Sequence, residues 1–272
     1  MRISSFGMSD VGMRREKNED SFLVNDDAML YAVADGMGGH LGGDIASKIA
    51  AQTINEVIVA LNSDPEALLQ REGLSFKPGE YQGYLRYAIR LASQKIFEKS
   101  KSDPNLKGMG TTAVALLLRN KKAYIANVGD SRVYRIRGGE IVQITKDHSL
   151  VAEQIRAGII TDDDARIHRF KNIITRSVGF QEDVEADIDI RVIRAGDMFA
   201  LCSDGLSNML RDHEIRDVVV NNTLQASCSR LIDIANARGG DDNITVVLAR
   251  IESVEDLPDL ETEPLLDEPA AE

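Results

Sequence analysis

Five aspartates each stand where an apolar segment of the sequence gives way to a tight turn: Asp20, Asp35, Asp130, Asp204 and Asp242. A carboxylate at the rim of a buried sheet destabilises the fold unless something neutralises it. A hard divalent cation, which prefers oxygen ligands, would neutralise several converging carboxylates at once. One Asp-Gly pair would indicate only a turn. Five such positions, separated by long stretches of chain, predict a shared metal centre.

The segment Arg15–Ser21 adds further charged groups that could do chemistry. Glu19 and Asp20 are adjacent, so in an extended strand their side chains point to opposite faces. One could bind a metal directly and the other through water, while the planar guanidinium of Arg15 could hold two oxygens of a phosphate. Taken alone, this segment is better explained as a solvated charged loop. The Gly36 carbonyl could also approach a cation, although a plain glycine-rich turn explains that position equally well.

The charge of the chain is concentrated at one end. The 272 residues carry a net charge of −12. Residues 252–272 contain nine acids and no Lys or Arg, which leaves about −3 for residues 1–251. We therefore expect a nearly neutral catalytic or binding body over 1–251 and an acidic disordered tail over 252–272. The body lacks the basic surface typical of proteins that bind nucleic acid, so no nucleic-acid partner is expected.

The sequence also bounds the location of the protein. No stretch approaches 18 uncharged apolar residues, and the N-terminal residues lack the apolar core of a signal peptide. We therefore expect no membrane association. Cys202 and Cys228 provide neither a disulfide framework nor the spacing of a metal site. A reducing, cytoplasmic location is the resulting expectation.

The elements that must position the charged residues follow from the spacing of apolar side chains. Strands are predicted near residues 3–8, 20–24, 29–34, 112–118, 123–128, 132–137, 141–145, 187–192, 198–203 and 243–251. Helices are predicted over about 45–61, 81–99, 149–166, 212–220 and 224–237. Residues 62–80 are predicted to form a loop that contains one helical turn at most, and Thr161 is predicted to cap a helical segment. Since strands and helices occur in blocks rather than in βαβ alternation, the predicted fold class is α+β, with two sheets and the helices outside them.

Seven short motifs then occur in the order and at the spacings of a known family. They are Arg15…Asn18-Glu19-Asp20, Ala34–His40, Gly108–Thr112, Asn127–Arg132, Thr175–Gly179, Cys202–Ser207 and Gly240–Thr245. Each motif is weak alone, but seven in sequence are highly specific. The chain resembles the metal-dependent protein phosphatases of the protein phosphatase 2C-like (PPM) family, in their bacterial serine/threonine form. The resemblance covers nearly everything except the tail.

The resemblance implies a fold and a two-ion site. The implied fold is a four-layer α-β-β-α sandwich whose two central sheets are mainly antiparallel, in agreement with the elements above. Two ions, Mn²⁺ or Mg²⁺, would be bridged by Asp35, and the Gly36 carbonyl would bind one of them. Asp204 and Asp242 would be direct ligands of the other ion.

The remaining candidate residues receive roles from the same resemblance. Glu19 and Asp20 would act mostly through bound waters, and Arg15 would hold the substrate phosphate. In bacterial members a third metal uses residues that match Asp130 and Asp204. Some relatives have a histidine, acting as general acid, where this chain has Met37, so that role cannot be transferred. His40, or a water on a metal, could serve instead.

Two further features receive simpler interpretations. His148, His168 and His213 are isolated in the sequence and are interpreted as surface or packing residues. The stretch from about 148 to 179 corresponds to the mobile flap beside the family's active site. It could select substrates.

The function implied is metal-dependent hydrolysis of phosphoserine and phosphothreonine in proteins by a metal-activated water, which reverses Ser/Thr kinase signalling. The partners implied are phosphorylated proteins, including a cognate kinase, and the expected state is a monomer. One alternative is a catalytically silent member of the fold that binds or regulates, which the intact set of aspartates argues against. Another is a phosphoesterase for nucleotides or small molecules, which the lack of base-stacking aromatic residues near the motifs disfavours only weakly.

Overall fold

The computed structural model describes residues 1–38 and 42–254, which form two antiparallel sheets. The first sheet has five strands in the order β1-β11-β10-β7-β8, and the second follows the order β2-β3-β5-β6-β9, with β4 paired to β3. The strands are β1 Arg2–Asp10, β2 Asp20–Asn25, β3 Leu30–Met37, β4 Gly110–Thr111, β5 Ala113–Arg119, β6 Lys122–Val128, β7 Arg132–Arg137, β8 Glu140–Gln143, β9 Asp187–Val192, β10 Met198–Cys202 and β11 Ile244–Ser253.

The helices lie between these strands in the sequence and outside the sheets in space. They are α1 Gly43–Ser63, α2 Pro65–Glu72, α3 Tyr81–Ser102, α4 Leu150–Arg156, α5 Asp162–Arg166, α6 Asp204–Ser207, α7 Asp212–Val220 and α8 Leu224–Ala237. Helices α1 and α3 pack against the second sheet, and α8 packs against β1 and β11 of the first.

The alternation of side chains along the strands creates three separate layers of core. On β3, Ala32 faces the α1–α3 layer while Tyr31 and Val33 face the other sheet. On β10, Ala200 faces the α7–α8 layer while Phe199 faces the centre. Because alternate residues of a strand point to opposite faces, each central strand contributes to two cores. The result is the predicted α+β sandwich of helices, sheet, sheet and helices, which is confirmed.

One predicted loop contains a helix. Residues 62–80 were expected to hold one helical turn at most, but α2 occupies eight of them. Asp64 accepts a hydrogen bond from Ala67 N, Pro65 stands at the first helical position, and Gly73 ends the helix with a φ of 64°. These are ordinary helix start and stop signals, so that prediction was wrong because the prolines and glycines were taken only as loop formers.

Two other boundaries also differ from the prediction. The single helix expected over 149–166 is two helices, α4 and α5, separated where Gly158 takes a φ of 68°. The predicted cap at Thr161 is confirmed, because its side chain accepts from Asp164 N in a capping box. The final strand continues past Ile251 to Ser253, because Ser253 pairs with Arg2 of β1.

Some expectations fall on residues beyond the described ranges. His40 and residues 255–272, which make up most of the predicted acidic tail, lie outside the described residues. Within residues 1–38 and 42–254, no helix is long and apolar enough to cross a membrane.

Candidate metal centre

Two of the five aspartates face each other across a pair of strands. Asp20 begins β2 and Asp35 lies near the end of β3, and the two are direct partners in the antiparallel register. Directly opposed residues of such a pair share a face of the sheet, and like charges there destabilise it. The hairpin alone therefore creates a site that a positive charge would stabilise.

The other three aspartates arrive from separate turns. Asp130 follows β6, Asp204 follows β10 as the first residue of α6, and Asp242 precedes β11. These three and Asp35 line one cleft of about 1000 Å³, to which Arg15, Glu19 and Gly36 also contribute. Asp20 is buried, with 8% of its surface exposed. The structure thus brings together the predicted residues that lie within the described ranges.

Burial and mutual repulsion act on these carboxyl groups together. Burial, followed by the charges of the other aspartates, raises the pKa of Asp35 well above its ordinary value. Burial raises the pKa of Asp20 to about 7, although hydrogen bonds from hydroxyl groups oppose the rise. Burial is also the main cause that raises the pKa values of Asp130 and Asp204, and the charges of nearby carboxylates raise them further. A bound cation would reverse these shifts, since it favours the ionised form.

Several buried oxygens of this cluster lack a hydrogen-bond partner, which is compatible with a bound cation. Among the described residues, Oδ1 of Asp20, Oδ1 of Asp130 and Oδ1 of Asp204 are all buried without a hydrogen-bond partner. Leaving such atoms unsatisfied costs about 1–3 kcal/mol each, more when they are charged. All are hard oxygen donors, the type that Mg²⁺ and Mn²⁺ prefer.

The carboxylates do not yet surround a common point. No group of three or more His, Cys, Asp or Glu side chains in the described part of the chain is gathered closely enough to be a ready-made ligand set. Asp242 Oδ2 instead accepts from Arg15 Nη2 at 2.7 Å, and Asp204 Oδ2 accepts from Asn208 at 3.0 Å. These two carboxylates therefore each have a hydrogen-bonding partner at the cleft.

Hydroxyl groups of the Gly110-Thr111-Thr112 motif fix the backbone of Asp35. Asp35 N donates to Thr112 Oγ1 at 2.9 Å, and Thr111 Oγ1 donates to the Asp35 carbonyl at 2.9 Å. Thr112 Oγ1 also shares a 2.7 Å hydrogen bond with Ser131 Oγ, beside Asp130. Gly36 is required because a Cβ there would lie 2.1 Å from the Gly43 carbonyl. These contacts fix the backbone of Asp35, and Gly36 beside it allows the close approach of the start of α1.

Asn243 organises the loop that carries the other charged residues. Its Oδ1 accepts from Glu19 N at 2.8 Å, and its Nδ2 donates to the carbonyls of Val11 and Lys17 at 2.9 Å. Ser203 adds a hydrogen bond to Asp20 Oδ2 at 2.7 Å. The sequence motifs contain both residues, but their positioning roles were not predicted, because hydrogen bonds over separations of up to 232 residues leave no local pattern.

Arg15 and Glu19 border the cleft from that same loop. Arg15 is half exposed and forms its ion pair with Asp242, so its guanidinium lies at the cleft. Glu19 is partly buried, and burial raises its pKa while Arg15 opposes the rise. A Cβ on Gly43 would lie 2.7 Å from Glu19 Oε2, so the Glu19 side chain packs against the start of α1.

His148 is a buried packing residue at the base of the predicted flap. Its Nδ1 accepts from Gly129 N at 3.1 Å, and its Nε2 lies 3.2 Å from Asp187 Oδ2. Burial lowers the pKa of His148; the charges of Arg176 and Arg156 add to this effect, while Asp187 opposes it. The neutral ring is therefore the form that fits, with its proton on Nε2.

This geometry predicts a loss of stability in mild acid. Because the folded-state pKa of His148 lies below the unfolded value of about 6.5, the unfolded chain binds a proton first as the pH falls. Stability from this residue is complete above about pH 6.5 and decreases below it. We expect the urea midpoint to fall less between about pH 7.5 and about 5.5 in His148→Gln than in the wild type. His213→Gln, which changes an exposed ring, is the control; an equal change in both variants would contradict this role.

Comparison with known proteins places this geometry in a family. The sequence profile described as Protein phosphatase 2C matches residues 13–249. The chain belongs to the protein phosphatase 2C family. The resemblance inferred from the seven motifs is thereby confirmed.

Individual relatives agree along most of their length. The chain is 38% identical over 244 residues to the serine/threonine phosphatase stp of Listeria welshimeri, covering 88% of this chain and 92% of that protein. The crystal structure of the Mycobacterium tuberculosis serine/threonine phosphatase PstP/Ppp is similar with a TM-score of 0.81 at 34% identity, covering 92% of this chain and 99% of that one. A PstP catalytic domain solved in complex with two manganese ions is similar with a TM-score of 0.78 at 34% identity, covering 91% and 97% of the two chains.

Proposed function

We propose that the acidic cleft is the active site through which this chain removes phosphate from phosphoserine and phosphothreonine in proteins. The chain is a metal-dependent protein serine/threonine phosphatase, like the relatives that it matches over most of its length. One observation carries the assignment to this cleft: three buried carboxylate oxygens lack partners around it, and an arginine stands at its edge.

The donor set supports Mn²⁺ or Mg²⁺ as the metal. Asp35 and the Gly36 carbonyl would hold one ion, Asp35 would bridge to a second, and Asp204 and Asp242 would complete that second site. When bound, the ions would lower the pKa of a water molecule and neutralise charge on the phosphate. No Cys or His takes part in this proposed set, which favours hard cations over Zn²⁺.

We also propose ligands that act through water and ligands of a third ion at the same site. Glu19 and Asp20 would act through water molecules, which suits the burial of Asp20 beneath the cleft. Asp130 and Asp204 would hold a third ion, as supported by the unpartnered oxygen on each.

Two side chains would handle the substrate itself. Arg15 would release Asp242 when a cation binds there and would present its planar fork to two phosphate oxygens. His40 is proposed to protonate the leaving serine or threonine oxygen, since Met37 cannot carry a proton. Phosphate binding and proton donation would thus both be performed by side chains of this chain.

The direct test is phosphate release from a phosphothreonine peptide and from a nucleoside monophosphate, each with Mn²⁺ and with excess chelator. We expect rapid release from the peptide with Mn²⁺ only. Equal or faster release from the nucleotide would instead favour a small-molecule phosphoesterase.

Replacing Arg15 by Ala should weaken substrate binding more than catalysis. A charge-assisted hydrogen bond contributes up to about 3 kcal/mol, so kcat/KM should fall by as much as about 100-fold, mainly through KM. Arg15→Lys should restore only part of this loss because an ammonium group cannot form the planar fork. Arg14→Ala, an exposed neighbour that does not line the cleft, is the matched control. An unchanged kcat/KM in Arg15→Ala would place Arg15 outside the site.

Several broader proposals accompany this function. We propose a cytoplasmic, monomeric enzyme that opposes a cognate Ser/Thr kinase. The two cysteines, which are unpaired and buried, support a reducing location. We also propose that the catalytic unit ends near Val254, with the acidic residues beyond it dispensable for turnover.

A further inference from the structure

Phe180 is an exposed aromatic side chain on the wall of the catalytic cleft. Its relative exposure is 66%, although it lines the same cavity as Asp35 and Asp204. Single exposed apolar residues are common on protein surfaces and need no function. Among the large apolar residues that are exposed in the described part of the chain, Phe180 is the one that lines this cleft, and its backbone is fixed on both sides.

Ser93 of α3 holds the backbone on either side of Phe180. The buried Ser93 Oγ accepts from Gly179 N at 2.9 Å and donates to the Gln181 carbonyl at 2.8 Å. Gly179 has a φ of 91°, and a Cβ there would lie 2.1 Å from Ile96 Cγ2. The chain is therefore pressed onto α3 at this point, and the ring is presented from a rigid support.

The same support is connected to the metal centre. Val178 and Thr111 exchange two backbone hydrogen bonds, of 2.8 and 3.0 Å, and Thr111 Oγ1 donates to the Asp35 carbonyl. The position of Phe180 is thus fixed relative to Asp35 through two short links.

Apolar neighbours extend the surface that Phe180 presents. Met37, Ile174 and Val184 also line the cleft, whereas its other lining residues are mainly polar or charged. Met37 is paired in register with Gly110, whose position lies near Phe180 N. The lining of the cleft therefore includes apolar side chains as well as the acidic residues that are proposed to hold the metals.

We infer that Phe180, Met37, Ile174 and Val184 form an apolar subsite for a side chain that neighbours the phosphorylated residue of a protein substrate. The inference rests on the proposed phosphatase function. A rigid aromatic residue binds an apolar partner with little loss of conformational entropy, so it can contribute strongly to selectivity. The subsite would favour substrates with Leu, Met or Phe near the phosphorylated residue over substrates with polar residues there.

The test compares matched phosphothreonine peptides. One peptide contains only Gly, Ser and Asn around the phosphothreonine, and six others each carry one Leu within three positions before or after it. We expect kcat/KM for at least one Leu peptide to exceed that for the plain peptide by about tenfold, the effect of partly burying one apolar side chain. In Phe180→Ala this ratio should fall to near one.

A control variant separates the subsite from general apolar exposure. Ile167 belongs to the predicted flap and is 86% exposed, but it does not line the cleft. Ile167→Ala should keep the wild-type ratio, and Phe180→Leu should retain part of it. A ratio near one in the wild type, or a wild-type ratio in Phe180→Ala, would overturn the subsite. Failure to release phosphate from any peptide would overturn the proposed function as well.

Binding can also be measured without turnover. The chain contains no Trp, so Phe180→Trp introduces a single tryptophan at the subsite, which can be excited selectively over the six Tyr. In an Asp35→Asn background, we expect the preferred Leu peptide to shift the emission to shorter wavelength and to half-saturate at about one tenth of the concentration that the plain peptide needs. Identical titration curves for the two peptides would contradict an apolar contact at this position.

Discussion

Replacement of Asp35 by Asn is expected to abolish phosphatase activity while the chain still folds. The change removes the carboxylate that we place between two metal ions, but it keeps the size of the side chain and the backbone contacts with Thr111 and Thr112. It also removes one charge from a buried cluster of like charges, which favours the metal-free fold. We expect kcat to fall by at least about 10³-fold and the melting temperature of the metal-free protein to stay equal or rise.

The same outcome is expected for Asp204→Asn and Asp242→Asn. Asp241→Asn is the matched control, because Asp241 adjoins Asp242 in sequence but is exposed and does not line the cleft. Activity with a phosphothreonine peptide and thermal melts followed by circular dichroism measure the two halves of the prediction. If the three cleft variants kept near-normal rates, the metal assignment would be wrong; unfolded variants would show that these carboxylates support the fold instead.

Removal of divalent metal should produce an equally large effect. We expect no measurable turnover in excess chelator and full recovery on adding Mn²⁺, with Mn²⁺ at least as effective as Mg²⁺. A ligand that binds only the folded state at about 100 times its Kd adds about 2.7 kcal/mol of stability. For a chain of this size that gain corresponds to a rise in melting temperature of roughly 5–10 °C.

The melting shift also gives a measurement that does not depend on catalysis. Asp35→Asn should lose most of the shift, whereas the control Asp241→Asn should keep it. Substantial turnover in excess chelator would refute metal dependence. A shift of the same size in Asp35→Asn and in the wild type would instead show that the stabilising ion binds elsewhere.

The convergence of Asp35, Asp130, Asp204 and Asp242 on one cleft could be predicted because each aspartate follows a local signal. A buried strand that ends in a polar turn is visible in sequence as an apolar run before Asp and a tight-turn residue, as at Asp35 and Asp204. The order of such runs also predicted the two sheets and the outer helices. Strands β3 and β10 confirmed it, since each alternates between a helix-facing core and the central core.

Other features depend on contacts that no short window contains. Asn243 forms hydrogen bonds with residues 11, 17 and 19. Ser93 forms hydrogen bonds with Gly179 and Gln181, which are 86 and 88 residues away along the chain. Neither role therefore has a local pattern. Helix α2 was missed for a different reason, because Pro65 and Gly73 are equally at home in loops and at helix ends. The ion pair between Arg15 and Asp242 was also not predicted, because Arg15 was assigned to the substrate phosphate and Asp242 to a metal ion.

The register of β2 and β3 makes the proposed metal site depend on a distant turn. Asp20 and Asp35 meet only because the turn over residues 26–29 has a length that aligns them, although five residues, about 17 Å of strand, separate that turn from the carboxylates. Adding one residue there could shift the strand and move Asp20 to the opposite face. The turn at Gly138-Gly139, which joins β7 to β8 at the edge of the other sheet, carries no such constraint. A tag or a fluorescent domain should therefore be inserted in the β7–β8 turn and not in the β2–β3 turn.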